Sequence, residues 1–290
     1  MAYLKIYPKR IIKNIEKINN LMAEYDKEWS LVTKVLGGHK KTLESVLNSE
    51  AVLKTHSIAD SRVSNLKNIK KVKDDIVTMY LKPPAKSYIK SVIKYADISL
   101  NTDYKTILEL NKEAKSQKKK HRIIIMIEMG ELREGIVREK FLQFYEKVYQ
   151  LSNIEVIGLG TNLGCMYGIE PTYDKLIQLS LYEQLIEMRF QRDMHLLSGG
   201  SSITLPLLKK GKIPKKVNHL RIGEAVFLGT TPLTNKKFGK LSTSTFEFLA
   251  NIVELEKKET VPDGVVGEGN VGHAEEINHD EIKREYKALL

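Results

Sequence analysis

The chain has too few cysteines for an internal disulfide, no apolar run long enough to span a membrane, and few aromatic residues among its basic ones. Its one cysteine, Cys165, leaves no pairing within the chain, which fits a reducing compartment. The longest apolar run, Ile123 to Ile127, falls far short of the roughly 20 residues a spanning helix needs. Nothing resembles a signal peptide, so the expectation is a cytoplasmic protein with no membrane partner. The net charge of +11 raises a nucleic-acid function. However, the basic residues lie beside acids, as in Lys70-Lys71-Val72-Lys73-Asp74-Asp75, and aromatics rarely interleave with them for base stacking. The one dense block, Lys118-Lys119-Lys120-His121-Arg122, leads into an expected strand and reads as a solvated loop. No nucleic-acid partner is expected.

What is present is an alternation. At 290 residues and 42% apolar, the chain suffices for one large domain with a smaller appendage. Eight short apolar runs read as strands: Leu31 to Val35, Val52 to Ser57, Ile76 to Leu81, Ile98 to Asn101, Arg122 to Met129, Val156 to Thr161, His195 to Ser198 and Arg221 to Leu228. Amphipathic stretches separate them, such as Val137 to Tyr149 and Tyr173 to about Arg192, and another, Pro8 to Glu24, precedes the first. The order suggests an α/β fold, a (β/α)8 TIM barrel over residues 1–229, although an open doubly wound sheet satisfies the same periodicity. Residues 230–290 read as a small C-terminal β-rich segment. In it Thr245 to Glu256 is β-rich, Pro262 to Gly272 is a glycine-rich loop and Asp280 to Leu290 a short charged helix.

Among many lysines in polar helical runs, Lys34 alone ends an expected buried strand, Ser30-Leu31-Val32-Thr33-Lys34-Val35. An amine among apolar neighbours is disfavoured in its charged form, so a neutral fraction can attack an aldehyde. In a barrel, polar and glycine-rich loops at the strand ends converge. The sequence supplies such loops after strand five (Glu128 to Gly135, with Arg133), at strand six (Gly158 to Gly164), after strand seven (Ser198 to Ser202) and at strand eight (His219 to Glu224). The Ser-Gly-Gly-Ser-Ser turn offers amides and hydroxyls suited to a phosphate. His56 and His195 read as packed strand residues, because no second group is spaced to orient them.

Taken in order, VTKVLGG around Lys34, ADSRVSNLKNI from Ala59, MGELREGI, GLGTNLGC, SGGSS and LRIGEAVFLG resemble the alanine racemase-like, fold type III pyridoxal-phosphate enzymes, most closely the alanine/ornithine racemases. That resemblance implies an amino-acid racemase acting through pyridoxal 5'-phosphate. Lys34 would hold the cofactor as a Schiff base and exchange a proton at the substrate Cα. Arg133 would bond the ring phenolate, Asn162 would lie beside the ring where relatives carry a histidine, and Arg221 would face the pyridine nitrogen. Ser202 with the amides of Gly223 and Glu224 would hold the phosphate. Asp60, Arg62 and Thr161 are weaker candidates on the substrate side, and Asp60, Glu128 and Glu131 are candidate partners for the distal ammonium of ornithine. No metal is expected.

The sequence also departs from the family's pattern. Gly38 stands where many relatives have a phosphate-contacting tyrosine, and Met126 where some have a carbamylated lysine. The second catalytic base in the family resembles a tyrosine from a partner's C-terminal β-domain, and the residues after Lys258 are too few for that domain. A homodimer is expected from the resemblance. A non-catalytic pyridoxal-phosphate carrier with the same barrel is the alternative reading.

Overall fold

In the computed structural model, which describes residues 2–264 and 283–290, the chain opens with a strand, β1 (Ala2–Ile6), and a helix, α1 (Pro8–Glu24). Proline suits the first turn of α1, where its missing N–H has no partner to lose, and Ile11, Ile15, Ile18 and Met22 bury one face. Eight strands follow: β2 (Glu28–Val32), β3 (Ser57–Asp60), β4 (Thr78–Tyr80), β5 (Ile98–Asn101), β6 (His121–Met126), β7 (Ile154–Gly160), β8 (Leu196–Ser201) and β9 (His219–Ile222). After each comes a helix: α2 (Lys40–Leu47), α3 (Val63–Val72), α4 (Ile89–Tyr95), α5 (Tyr104–Ser116), α6 (Phe141–Tyr149), α7 (Tyr173–Phe190), α8 (Leu205–Lys209) and α9 (Glu224–Leu228).

All neighbouring pairs among β2 to β9 are parallel, and β9 pairs back onto β2 with Ile222 opposite Leu31. The sheet is therefore a closed barrel rather than an open doubly wound one, and closure removes the unpaired edges that open sheets must protect. Along each strand alternate residues face inward. Met79, Ile98, Leu100, Ile124, Met126 and Ile157 form one apolar cluster with Val32, Ala59 and Leu196. Met126, at the position where some relatives have a carbamylated lysine, belongs to this cluster and is fully buried.

Every expected strand is present, but several boundaries move. The first ends at Val32, so Lys34 opens a 3-10 turn (Lys34–Leu36) instead of closing the strand. Residues Glu50–Lys54 form a 3-10 turn, and the second barrel strand begins only at Ser57. The expected strand from Arg221 to Leu228 stops at Ile222, because Gly223 turns the chain into α9. An apolar run shorter than ten residues does not distinguish strand from buried helix, which explains the last of these shifts.

By contact the chain divides into two compact units, one of residues Tyr7–Thr245 and one that joins the first six residues to those from Phe246 onward. The sequence reading draws its boundary at 229/230 instead. In the second unit, β10 (Phe246–Ala250) pairs antiparallel with β1, and β11 (Glu254–Glu259) with β12 (Arg284–Leu289). From residue 283 onward the expected charged helix is thus a strand, with Arg284 paired to Glu259 across the ladder at 3.2 Å. Residues 280–282, and the expected glycine-rich loop from 265 to 272, lie outside the described residues.

Candidate active site

Parallel strands all end on one face of a barrel, so the loops after them converge there. On this face β8 and β9 pair Ser201 with Arg221, and β9 and β2 pair Ile222 with Leu31, two residues short of Thr33. Thr33 is buried, donating its N–H to Ala59 O (2.9 Å) and its hydroxyl to Asp60 Oδ2 (3.2 Å). Lys34 comes next and is exposed. The expectation that Lys34 is sheathed by apolar side chains is therefore corrected: the strand stops before it, and the turn projects it from the rim. Beside it, a Cβ on Gly223 would approach Val32 Cβ to 3.1 Å, so the close contact of β2 with the start of α9 suits glycine.

Arg221 is the most enclosed cation at this face, 4% exposed. Its Nη1 donates to Ser198 O (3.3 Å) and Ser198 Oγ, and its Nη2 donates to Thr161 O (2.7 Å) and Asn162 Oδ1 (2.7 Å). Burial lowers its pKa to about 10, with Glu134 opposing and Arg133 reinforcing the fall. At neutral pH it remains a cation that donates and never accepts.

Behind Arg221 a polar column runs into the barrel. Ser198 Oγ, already accepting from Arg221, lies 2.8 Å from His219 Nδ1. His219 Nε2 lies 2.8 Å from Ser30 Oγ, which lies 2.7 Å from Ser57 Oγ. His219 is fully buried and its pKa falls well below the ordinary value, because desolvation penalises the imidazolium, and His56 and Arg221 add repulsion. A neutral imidazole has one donor and one acceptor. One consistent arrangement has Ser198 donating to Nδ1, Nε2–H to Ser30 and Ser30 to Ser57, so that every group in the column finds a partner.

The loops after β6 and β7 close the other side. Asn162 gives its Nδ2–H to Glu134 Oε1, and Glu134 Oε2 lies 2.8 Å from Arg133 Nε. Arg133 Nη1 also reaches Cys165 Sγ at 2.6 Å. Glu131, 2% exposed, accepts backbone N–H groups from Gly164 (2.9 Å), Cys165 (2.9 Å), Tyr167 (2.7 Å) and Ile169 (3.2 Å). Burial pushes its carboxyl pKa up, but the amides together outweigh burial and hold it below the ordinary value. Glu128 Oε1 likewise accepts from Gly130 N (2.7 Å) and Leu132 N (2.9 Å).

Asp60 is fully buried, taking Arg62 N (2.9 Å) and Asn65 Nδ2 (3.1 Å) on Oδ1 and Thr33 on Oδ2. Burial raises its pKa against these bonds. All three acids considered for a substrate ammonium thus already accept from donors within the protein. The Arg62 side chain is exposed, and Thr161 is buried and enters through its carbonyl. Ser202 is buried, and its Oγ accepts from Ala225 N at 3.1 Å, which brings the Ser-Gly-Gly-Ser-Ser turn against Gly223 and Glu224. A Cβ on Gly38 would fall 2.5 Å from Asn65 Oδ1 at a φ of +75°, so a tyrosine does not fit there unchanged.

Sequence reasoning missed Glu134, Ser30, Ser57 and the role of His219. Strand alternation could have found the last three, since His219 and Arg221 lie two apart on β9 and face one side. His195, expected as a packed strand residue, is exposed and precedes β8, whereas His56 is part-buried and meets the His219 ring edge-on at 5.2 Å.

The family model described as "Alanine racemase, N-terminal domain" matches residues 6–231. The ornithine racemase of Acetoanaerobium sticklandii is 32% identical over 90% of this chain and 74% of its own length. The lysine racemase of Thermotoga maritima is 31% identical over 91% and 73%. Among solved structures, alanine racemase from Bartonella henselae with covalently bound pyridoxal phosphate superposes with a TM-score of 0.66 at 15% identity, covering 88% of this chain and 70% of that one.

Proposed function

The chain belongs to the alanine racemase N-terminal domain family, and from that premise we propose that it is a pyridoxal-phosphate-dependent amino-acid racemase with ornithine as its first candidate substrate. The observation that carries the reading is the Arg221 guanidinium. Four of its five N–H groups go to Ser198, Thr161 and Asn162, and Nε–H takes no acceptor among the described residues. It is not a sealed orphan either, since the only sealed side-chain polar atom without a partner among them is Asn101 Oδ1. A single unpaired N–H that is not sealed, on an otherwise enclosed guanidinium, suits a ring nitrogen that accepts.

The other donors fit the same group. Lys34 would hold the aldehyde carbon, Arg133 the phenolate oxygen, and Ser202 with the amides of Gly223 and Glu224 the phosphate. When bound, the cofactor supplies an aldehyde that takes up an amino group and a ring that withdraws electrons from the Cα–H bond. The protein's share is positional and protonic. Arg221, charged at neutral pH, would donate a hydrogen bond to the ring nitrogen without surrendering its proton, which would leave that nitrogen unprotonated and the electron withdrawal moderate. The Lys34 amine, exposed at the rim, would take or give the proton on one face of the substrate Cα, and inversion requires a second group that gives or takes a proton on the opposite face.

The test incubates purified protein and pyridoxal phosphate with L-ornithine, L-lysine and L-alanine and follows chirality by chromatography. Wild type is expected to racemise at least one substrate and to retain labelled cofactor after borohydride reduction. Lys34→Ala is expected to lose the reduced adduct and on the order of 10³-fold or more in turnover. A coloured protein that leaves all three chiralities unchanged supports the carrier reading, and an adduct that persists in Lys34→Ala refutes the lysine assignment.

A further inference from the structure

We propose that Glu134 is a positioning residue that fixes the orientation and the charge balance of the two guanidinia at the barrel mouth. The inference rests on the cofactor reading above. Glu134 is contacted from two sides: its Oε2 lies 2.8 Å from Arg133 Nε, and its Oε1 accepts the Nδ2–H of Asn162. Asn162 in turn presents Oδ1 to Arg221 Nη2 at 2.7 Å. One carboxylate thus bonds one guanidinium directly and the other through a single amide.

An asparagine side chain has a donor end and an acceptor end, and only one orientation serves here. Arg221 has no acceptor, so a reversed Asn162 would set donor against donor. An ionised carboxylate has no donor, so a reversed Asn162 would also set acceptor against acceptor at Glu134. Each end demands the same orientation, and the carboxylate enforces it. All four partners of Arg221 are uncharged groups, three of them carbonyl or amide oxygens and one a hydroxyl. Its compensating charge comes from Glu134 at one remove, which is also the acid whose field helps keep Arg221 protonated. Glu134 is only 15% exposed at its side chain, so water screens this field weakly.

If Glu134 acts this way, removing its charge lowers the proton affinity of groups on the bound cofactor, because two cations then face them uncompensated. Removing its acceptor oxygen also frees Asn162. The experiment loads wild type, Glu134→Gln and Glu134→Ala with pyridoxal phosphate. It measures the cofactor Kd, the pH midpoint of the visible absorbance band and the thermal melt by circular dichroism. Glu134→Gln keeps a carbonyl for Asn162, so its Kd is expected within about threefold of wild type while its midpoint falls by on the order of 0.5 pH unit. Glu134→Ala is expected to show the same fall and a Kd weaker by on the order of tenfold.

Midpoints equal to wild type in both variants overturn the proposal and leave Glu134 a loop tie, whatever the melt does. Should Glu134→Ala melt below the assay temperature, the isosteric Glu134→Gln midpoint decides alone. If wild type itself forms no reducible adduct on Lys34, the cofactor reading and this inference fall together. If it does and the midpoints do not move, only this inference falls.

Discussion

The two flanks of the barrel interior differ in what they add to a shared apolar cluster. On β4 to β7 the inward positions are apolar, with Met79, Ile98, Leu100, Ile124, Met126 and Ile157 in one cluster. On β2, β3, β8 and β9, beside the Val32, Ala59 and Leu196 that complete this cluster, the chain also carries Ser30, Ser57, Ser198, His219 and Arg221, joined end to end by hydrogen bonds. The apolar flank gains stability simply by leaving water. The polar flank gains little net, since each buried group exchanges water for a protein partner, and one missing partner costs more than the bond contributed. Its value lies in direction: the column ends at Arg221, the residue that faces the mouth.

The sharpest way to break this contrast is Arg221→Leu. It strips Ser198, Thr161 and Asn162 of their donor, and stability is expected to fall by about 3–5 kcal/mol in denaturant unfolding, with cofactor affinity lost on the order of tenfold or more. Ile124→Ala on the apolar flank is the counterpart. The fully buried side chain leaves a cavity costing about 3 kcal/mol, while the cofactor band and its pH midpoint stay those of wild type. If Ile124→Ala disturbed the band as much as Arg221→Leu, the division of labour between flanks would be refuted.

A smaller effect follows from pH. His121, on the outer side of β5 and β6 beside Ser99, is held neutral, its pKa lowered to about 4 chiefly by burial. A histidine whose folded pKa lies below its unfolded one stabilises fully above about pH 6.5, and that stability is lost as pH falls toward 4. At pH 5 the loss from His121 alone is expected to be about 2 kcal/mol. His219 shifts in the same direction and adds to it. Urea unfolding at pH 7.5 and 5, repeated in His121→Gln, separates the two contributions; a loss unchanged in the variant removes His121 from the account.

Much of the architecture was legible. Pro8 to Glu24 appears as read, Ile98 to Asn101 keeps both ends, and all eight barrel strands exist, because period and turn residues are local properties. The strand ends were less legible, and the ends decide the chemistry. Lys34 was expected among apolar neighbours because Val32 and Val35 flank it, yet the strand stops at Val32 and Val35 is itself 51% exposed. The glycine-bounded loops were visible, but not what their acids do. Glu131 looks in sequence like a free carboxylate beside Arg133, and its four amide partners lie more than thirty residues away.

The order of residues by itself determined the number of strands, their alternation with helices, the position of a lysine just past the first of them, and the motifs that mark the family. These depend on short-range periodicity and on which residue types occur. Only the tertiary structure decided that the sheet closes, that Ser198, His219 and Arg221 form one hydrogen-bonded column, and that Glu134 reaches Asn162 and through it Arg221. Hydrogen bonds hold over about 3 Å in space and carry no signature along a chain, so partners drawn from different strands become evident only once the barrel brings them together.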